Sequence, residues 1–407
     1  MLTVEEARDQ VLAAVEPVAV VDAMVSDALG AVLARDVVAP HPLPRFDNSA
    51  MDGYAVRAAD VSGASDEHPV RLRVAGEVRA GSPGELDVAS GVAVRIMTGA
   101  PLPPGADAVV PVEVTSERDG TVSIAQAVDP GRHVRPAGQD VSDGDLLARA
   151  GTELTAGELA MLASAGLSPV PVRKGPRVAV LVSGDELVAP EASPGPGQIR
   201  DSNSVALRAL AAEAGADVVV FPPVADDRDE VRDALARAAA LCDLVVTSGG
   251  VSVGGYDFIK EVVEDLGRID LWRVAMQPGK PVVLGSVADT PFLGLPGNPV
   301  SVHIGFEQFA RPAIRKMRGC RTLLRPTITA ELSETLEKPP GRLHFVRVRL
   351  SEWEGSWRAT PTGPQGSHIQ SSLVECHGVA RFERELTVLE KGSAVEVEVW
   401  RLPGKAR

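Results

Sequence analysis

From residue 177 to about residue 318 the chain alternates short apolar runs with longer amphipathic stretches, and that rhythm leaves few folds open. The runs at 177–182, 217–221, 243–247, 281–284 and 291–295 are dominated by Val and Leu and lack polar alternation. Strands of that kind are buried on both faces and need helices to cover them. Helical periodicity at 204–214, 229–241, 257–266 and 300–317 supplies the helices. The pattern predicts a central doubly wound parallel α/β domain over residues 176–320. Ligands of such sheets bind outside the carboxyl ends of the strands, so the loops that follow the strands are where chemistry is expected.

Both flanks have a different character. Residues 46–150 carry short Val-rich runs (70–74, 92–97, 108–114) between Gly, Pro and Asp turns, which predicts a β insert. Around it, helical periodicity covers 3 to about 30, opened by the capping box Thr3-Val4-Glu5-Glu6, and 33–38 reads as a strand. A helix at 155–165 starts on Thr155 and stops at Gly166. Residues 1–175 are thus expected to form a β-rich N-terminal region with helices, in two subdomains. Runs at 327–332, 345–350 and 395–400 predict a small β-barrel-like domain over 321–407. A length of 407 residues agrees with several domains, since single cores stop growing near about 300 residues.

Acidic residues (55) outnumber basic ones (41), a net charge of −14 that argues against nucleic-acid binding. Any anionic ligand must therefore be held by local donors against the overall field. Cys242, Cys320 and Cys376 lie far apart, without a CxxC pair, and read as buried free thiols of a reducing compartment. No apolar stretch approaches the length that spans a bilayer, so no membrane partner and a cytoplasmic location are expected.

Four loops stand out in the α/β region. Ser248-Gly249-Gly250-Val251-Ser252-Val253-Gly254-Gly255 follows a strand and precedes Tyr256, Asp257 and a helix; it strips away side chains so that backbone N–H groups can face an anion. Its alternative is a tight turn whose glycines serve only positive φ. Gln277-Pro278-Gly279-Lys280-Pro281 stiffens one lysine between prolines, as an anion contact or a plain turn. Leu295-Pro296-Gly297-Asn298-Pro299 offers Asn298 as N-cap and Pro299 at the first helical position. Ser183-Gly184-Asp185-Glu186-Leu187, with Asp201, Asp226, Asp227 and Asp257, gathers carboxylates near one sheet edge, which individually suit caps and collectively suit a hard cation such as Mg2+. No HExxH, GxSxG or Walker A pattern is present.

These loops, with Phe46-Asp-Asn-Ser-Ala-Met-Asp-Gly-Tyr54, Arg95-Ile-Met-Thr-Gly-Ala100 and Thr362-Gly-Pro-Gln-Gly-Ser367, closely resemble the molybdopterin molybdenumtransferase family, the MoeA and gephyrin E-domain group. The resemblance implies an enzyme that inserts molybdenum from molybdate into adenylylated molybdopterin with release of AMP, using Mg2+. It implies a homodimer with a site between the α/β domain of one subunit and the N- and C-terminal β regions of the other. Carried over by position, Asp52, Thr98, Glu186, Asp226, Asp257 and Lys280 would be catalytic, with Glu186, Asp226 and Asp257 on the metal. Substrate contacts would come from Ser248, Gly249, Gly250, Ser252, Gly254, Arg273, Pro278, Gly279, Pro296, Gly297, Asn298, Arg347 and Ser367. Some relatives carry lysine where this chain has Arg273 and Gln277, so one cation is exchanged and another lost. A molybdopterin adenylyltransferase, itself a possible partner, and a cofactor-binding scaffold or carrier are the competing readings.

Overall fold

A computed structural model describes residues 1–250 and 258–404. Its centre is a six-stranded sheet whose strands we number β1 (Arg177–Val182), β2 (Asp217–Val220), β3 (Leu244–Ser248), β4 (Gly267–Trp272), β5 (Val283–Val287) and β6 (Thr290–Leu295). The spatial order is β2-β1-β3-β6-β5-β4. The first four strands of that order are parallel, as expected; β5 and β4 extend the sheet antiparallel. The runs at 281–284 and 291–295 are therefore arms of one hairpin, turned at Ala288, whose φ is +49°. Strand β4 escapes a search for unbroken apolar runs because Arg268 and Asp270 interrupt it. The two pair at 2.9 Å, a charged pattern suited to a sheet edge.

Alternate side chains of β1 face opposite layers. Val178 and Val180 pack under the helix Asn203–Glu213 and the helical rod 299–317, while Ala179 and Leu181 meet the helices Arg228–Leu241 and Phe258–Leu266. The rod runs as Pro299–Gly305, a π turn Phe306–Ala310, and Arg311–Met317. Pro312 has no N–H to donate, and the wider π turn just before it relieves the clash its ring would make.

The first helix is Val4–Ala13, much shorter than the periodicity to residue 30 suggested. Pro17 and the β-branched run that follows divert the chain into the strand Val21–Ala23. Its capping box is present: Thr3 Oγ1 accepts from Glu6 N at 3.1 Å and Glu6 Oε2 from Thr3 N at 2.8 Å. Val4, Ala7 and Val11 bury against the α/β core, so this helix packs there and not with the β-rich region after it. The 33–38 strand divides into Val32–Leu33 and Val37–Val38, where Asp36 turns away to accept Ala150 N at 2.8 Å.

Residues 21–37 and 148–172 share one small core, and the β insert has separate cores around a six-stranded sheet (Gly53–Val56 to Thr121–Ile124). At the other end Leu343–Trp353, Ser356–Pro361, Thr327–Leu332, Ala394–Val399 and Gly378–Phe382 close on one another as a five-stranded barrel. Met276–Gln277 pairs with Leu343–His344, which fixes the barrel beside the loop that carries Lys280. Cys242, Cys320 and Cys376 are buried and free. No helix among the described residues is long and apolar enough to cross a membrane.

Candidate functional site

The order β2-β1-β3 puts a topological switch between β1 and β3, and a cleft of ≈ 960 Å³ opens there, outside their carboxyl ends. Glu186, Asp226, Ser248, Gly249, Gly250, Pro278, Gly279, Lys280, Pro296, Gly297, Asn298 and Ser367 all line it. Those residues come from five separate loops of the α/β domain and one of the barrel. Asp257, Ser252 and Gly254 lie outside the described residues.

Hydrogen bonds lock the loops together. Asn203 Nδ2 donates to Ser248 Oγ at 3.0 Å and to the Gly297 carbonyl at 2.7 Å, while Ser248 Oγ donates to the Pro296 carbonyl at 3.4 Å. The Ser248 hydroxyl, expected on substrate, is thus committed to scaffolding. Gly249 has φ +93°, and a Cβ there would lie 2.8 Å from the Ser183 carbonyl oxygen, so only glycine permits this approach of the two loops. Asn298 occupies the N-cap position of its helix without capping it; its Nδ2 instead donates to Ser367 Oγ at 3.1 Å. Val300 N donates to the Ser367 carbonyl at 3.1 Å.

Ser367 therefore lines the cleft of its own chain. Arg347, expected on substrate, is not among the residues that line the cleft. It is fully buried in the barrel, where Nε donates to Ser372 Oγ at 2.9 Å and Nη2 to the carbonyls of Pro364 and Gly366 at 3.3 and 3.2 Å. Burial pulls its pKa down to about 10. Arg347 is a strut under the loop that carries Ser367.

Lys280 is exposed, lines the cleft and forms no ion pair among the described residues; Val274 N closes its loop on the Lys280 carbonyl at 2.9 Å. Arg342, Gln365 and His368 also line the cleft and were not anticipated. Arg342 carries a readable signal, for Pro340-Gly341-Arg342 repeats the proline-glycine-cation order of Pro278-Gly279-Lys280. It adds a cation to Lys280 and Arg200 in the cleft lining, where Gln277 contributes none. Arg273 is exposed, has φ +134°, and is not among the lining residues.

The acidic residues separate into two groups. Glu186 and Asp226 share the cleft, and Asp226 N donates to Asp185 Oδ1 at 3.0 Å. Among the described residues no three His, Cys, Asp or Glu side chains gather as a metal site, so Glu186 and Asp226 do not by themselves make one. Asp52 and Thr98 form an exposed pair in the β insert, outside the cleft lining: Thr98 N and Oγ1 donate to Asp52 Oδ1 at 2.7 and 2.8 Å. Those two bonds, the backbone one first, hold the Asp52 carboxyl below the usual range.

Three family profiles match in sequence: the "MoeA N-terminal region (domain I and II)" at residues 2–166, a "probable molybdopterin binding domain" at 179–316, and the "MoeA C-terminal region (domain IV)" at 329–400. A molybdopterin molybdenumtransferase 2 of Mycobacterium tuberculosis is 41% identical over 383 residues, 93% of this chain and 94% of that one. The molybdopterin molybdenumtransferase of Haemophilus influenzae is 37% identical over 403 residues, 98% of each chain. In structure, a molybdopterin biosynthesis MoeA protein of Pyrococcus horikoshii superposes with a TM-score of 0.85 at 32% identity, over 98% of this chain and 99% of that one.

Proposed function

The chain belongs to the MoeA family of molybdopterin molybdenumtransferases, and from that premise we propose that the cleft between β1 and β3 is where molybdenum passes from molybdate to adenylylated molybdopterin, with release of AMP. The observation that carries this reading is the arrival of Lys280 and Arg342 on one cleft beside glycine loops, in a protein whose net charge is −14. Molybdate and the phosphoanhydride are both anionic. Cations already in position need not reorganise as charge develops on the leaving phosphate, which is how a preorganised site lowers a barrier. Ser367, held by Asn298, adds a hydroxyl to the same space.

We further propose that the enzyme is a homodimer in the cytoplasm, with Asp52 and Thr98 completing the partner subunit's cleft. Their exposure outside their own cleft supports this, as do exposed apolar residues in the N-terminal region, among them Met24, Leu29 and the cross-strand pair Val38 and Leu146. Mg2+ is proposed as companion to the phosphate because Glu186 and Asp226 share the cleft with the anion-binding loops, while Asp201, which also lines it, accepts from Ser204 N at 3.0 Å; Asp257 is the third ligand of the proposal. Gly250, Pro278, Gly279, Pro296 and Gly297 supply main chain to the substrate in this reading.

The test is AMP release from adenylylated molybdopterin, with and without molybdate, and with EDTA. Release that requires molybdate is expected. Release regardless of molybdate would make the protein a nucleotide hydrolase, tight binding without release a carrier, and release indifferent to EDTA would remove the metal.

A further inference from the structure

We propose that the Ser183 hydroxyl is a ligand contact in its own right, donating a hydrogen bond to a phosphate oxygen of the substrate; this rests on reading the cleft as the site for an adenylylated pterin. Ser183 is the residue after β1 and lines the cleft. It is only 8% exposed, and its Oγ is buried without a hydrogen-bond partner among the described residues. A hydroxyl left in that state destabilises the free protein, and buried polar groups are satisfied nearly everywhere. Such an exception at a ligand site calls for an occupant.

The surroundings say which occupant. Ser183 N donates to the Ser248 carbonyl at 3.3 Å, so the backbone is engaged and only the side chain waits. A Cβ built on Gly249 would stand 3.4 Å from Ser183 Oγ, which puts the hydroxyl beside the glycine loop. The Glu186 carboxylate is folded over the neighbouring Gly184, close enough that a Cβ there would meet Oε2 at 2.5 Å, yet it takes no bond from Ser183. Main-chain N–H groups at a switch point receive phosphate, and a hydroxyl beside them donates to the same group. The contrast with Ser248, whose hydroxyl is spent on Pro296 and Asn203, shows that serines here are normally paired. Thr247 Oγ1 also lacks a partner among the described residues, but Thr247 is fully buried and outside the cleft lining, beyond reach of a ligand.

The experiment compares wild type and Ser183→Ala by calorimetric titration with AMP and with inorganic diphosphate, together with the melting temperature of the ligand-free protein. Removing an unsatisfied hydroxyl should leave the melting temperature unchanged or raise it, while affinity for a phosphate probe falls by roughly 10-fold or more. Unchanged affinity would overturn the contact. A lowered melting temperature would overturn it too, because the hydroxyl would then have a structural partner such as a bound water. Ser183→Cys, of nearly the same size and a weak donor, should sit between wild type and Ser183→Ala in affinity; equality with wild type would count against the contact. If wild type shows molybdate-dependent AMP release while Ser183→Ala binds as tightly, this contact alone fails. If wild type neither turns over nor binds either probe, the reading of the cleft fails with it.

Discussion

Arg347 offers the sharpest mechanical prediction, because its guanidinium is fully buried with no carboxylate beside it and yet supports the loop of Ser367. Three hydrogen bonds leave it, to Ser372 Oγ and to the carbonyls of Pro364 and Gly366, and bonds from a charged donor contribute about 1.5–3 kcal/mol each. Against this stands the cost of burying the cation, visible in the downward shift to about 10 and in an Nη1 atom without a partner among the described residues. Arg347→Ala deletes all three bonds, strands the acceptors and opens a void, so the net cost is about 3–5 kcal/mol. The assay is urea unfolding followed by tryptophan fluorescence, since Trp353, Trp357 and Trp400 lie in or next to the barrel and the chain has only one other, Trp272. A fall in midpoint of roughly 1–2 M is expected, together with reduced kcat/KM as Ser367 loses its position. Arg347→Lys keeps the charge and loses the planar fork, and should recover only part of the loss. An unfolding midpoint indistinguishable from wild type in Arg347→Ala would refute the strut.

Lys280→Ala and Arg342→Ala should each lower molybdate-dependent kcat/KM by ~10–100-fold, the worth of one charge-assisted contact, while the melting temperature holds; unaltered kinetics would remove either cation from the site. In mixed dimers, Lys280→Ala with Ser367→Ala should not complement, because both residues line one chain's cleft. Lys280→Ala with Asp52→Ala should recover up to about half the activity if the insert serves the partner; the opposite pattern would reverse the assignment. Acid sensitivity follows from His303, packed at a tilt against Trp400, and His344, each pushed by burial from 6.5 to about 4. Between those values the unfolded chain binds the extra protons, so their contribution is whole above pH 6.5 and is lost as pH falls to about 4, at most about 3 kcal/mol for each. His303→Gln should flatten that slope, and an equally steep pH profile would contradict it.

Much of the architecture was readable because apolar rhythm reports burial directly. The two-sided strands β1, β3 and β6 and their covering helices fall where their apolar runs predict. Strand β4 was hidden by Arg268 and Asp270, whose polarity belongs to an edge, and the first helix was overextended because hydrophobic spacing survives past Pro17 while helical hydrogen bonding does not. The loops that line the cleft were legible by composition, from Gly249 to Ser367, but the roles of their side chains were not. Whether Ser248 faces a ligand or a neighbouring loop depends on where Asn203 and Pro296 stand, and nothing local in the sequence encodes that. The same holds for Arg347, where a cation in an alternating strand could equally point inward to three acceptors or outward to an anion. Arg342 was missed although its Pro-Gly-cation spelling matches that of Lys280.

Crystals soaked in molybdate and measured across the molybdenum absorption edge would locate the anion without any assumption about turnover. The expected result is an anomalous peak in the cleft within contact of Lys280, Arg342 and Ser367, lost in Lys280→Ala. A peak elsewhere on the chain, or none in the cleft at saturating molybdate, would contradict the proposed site.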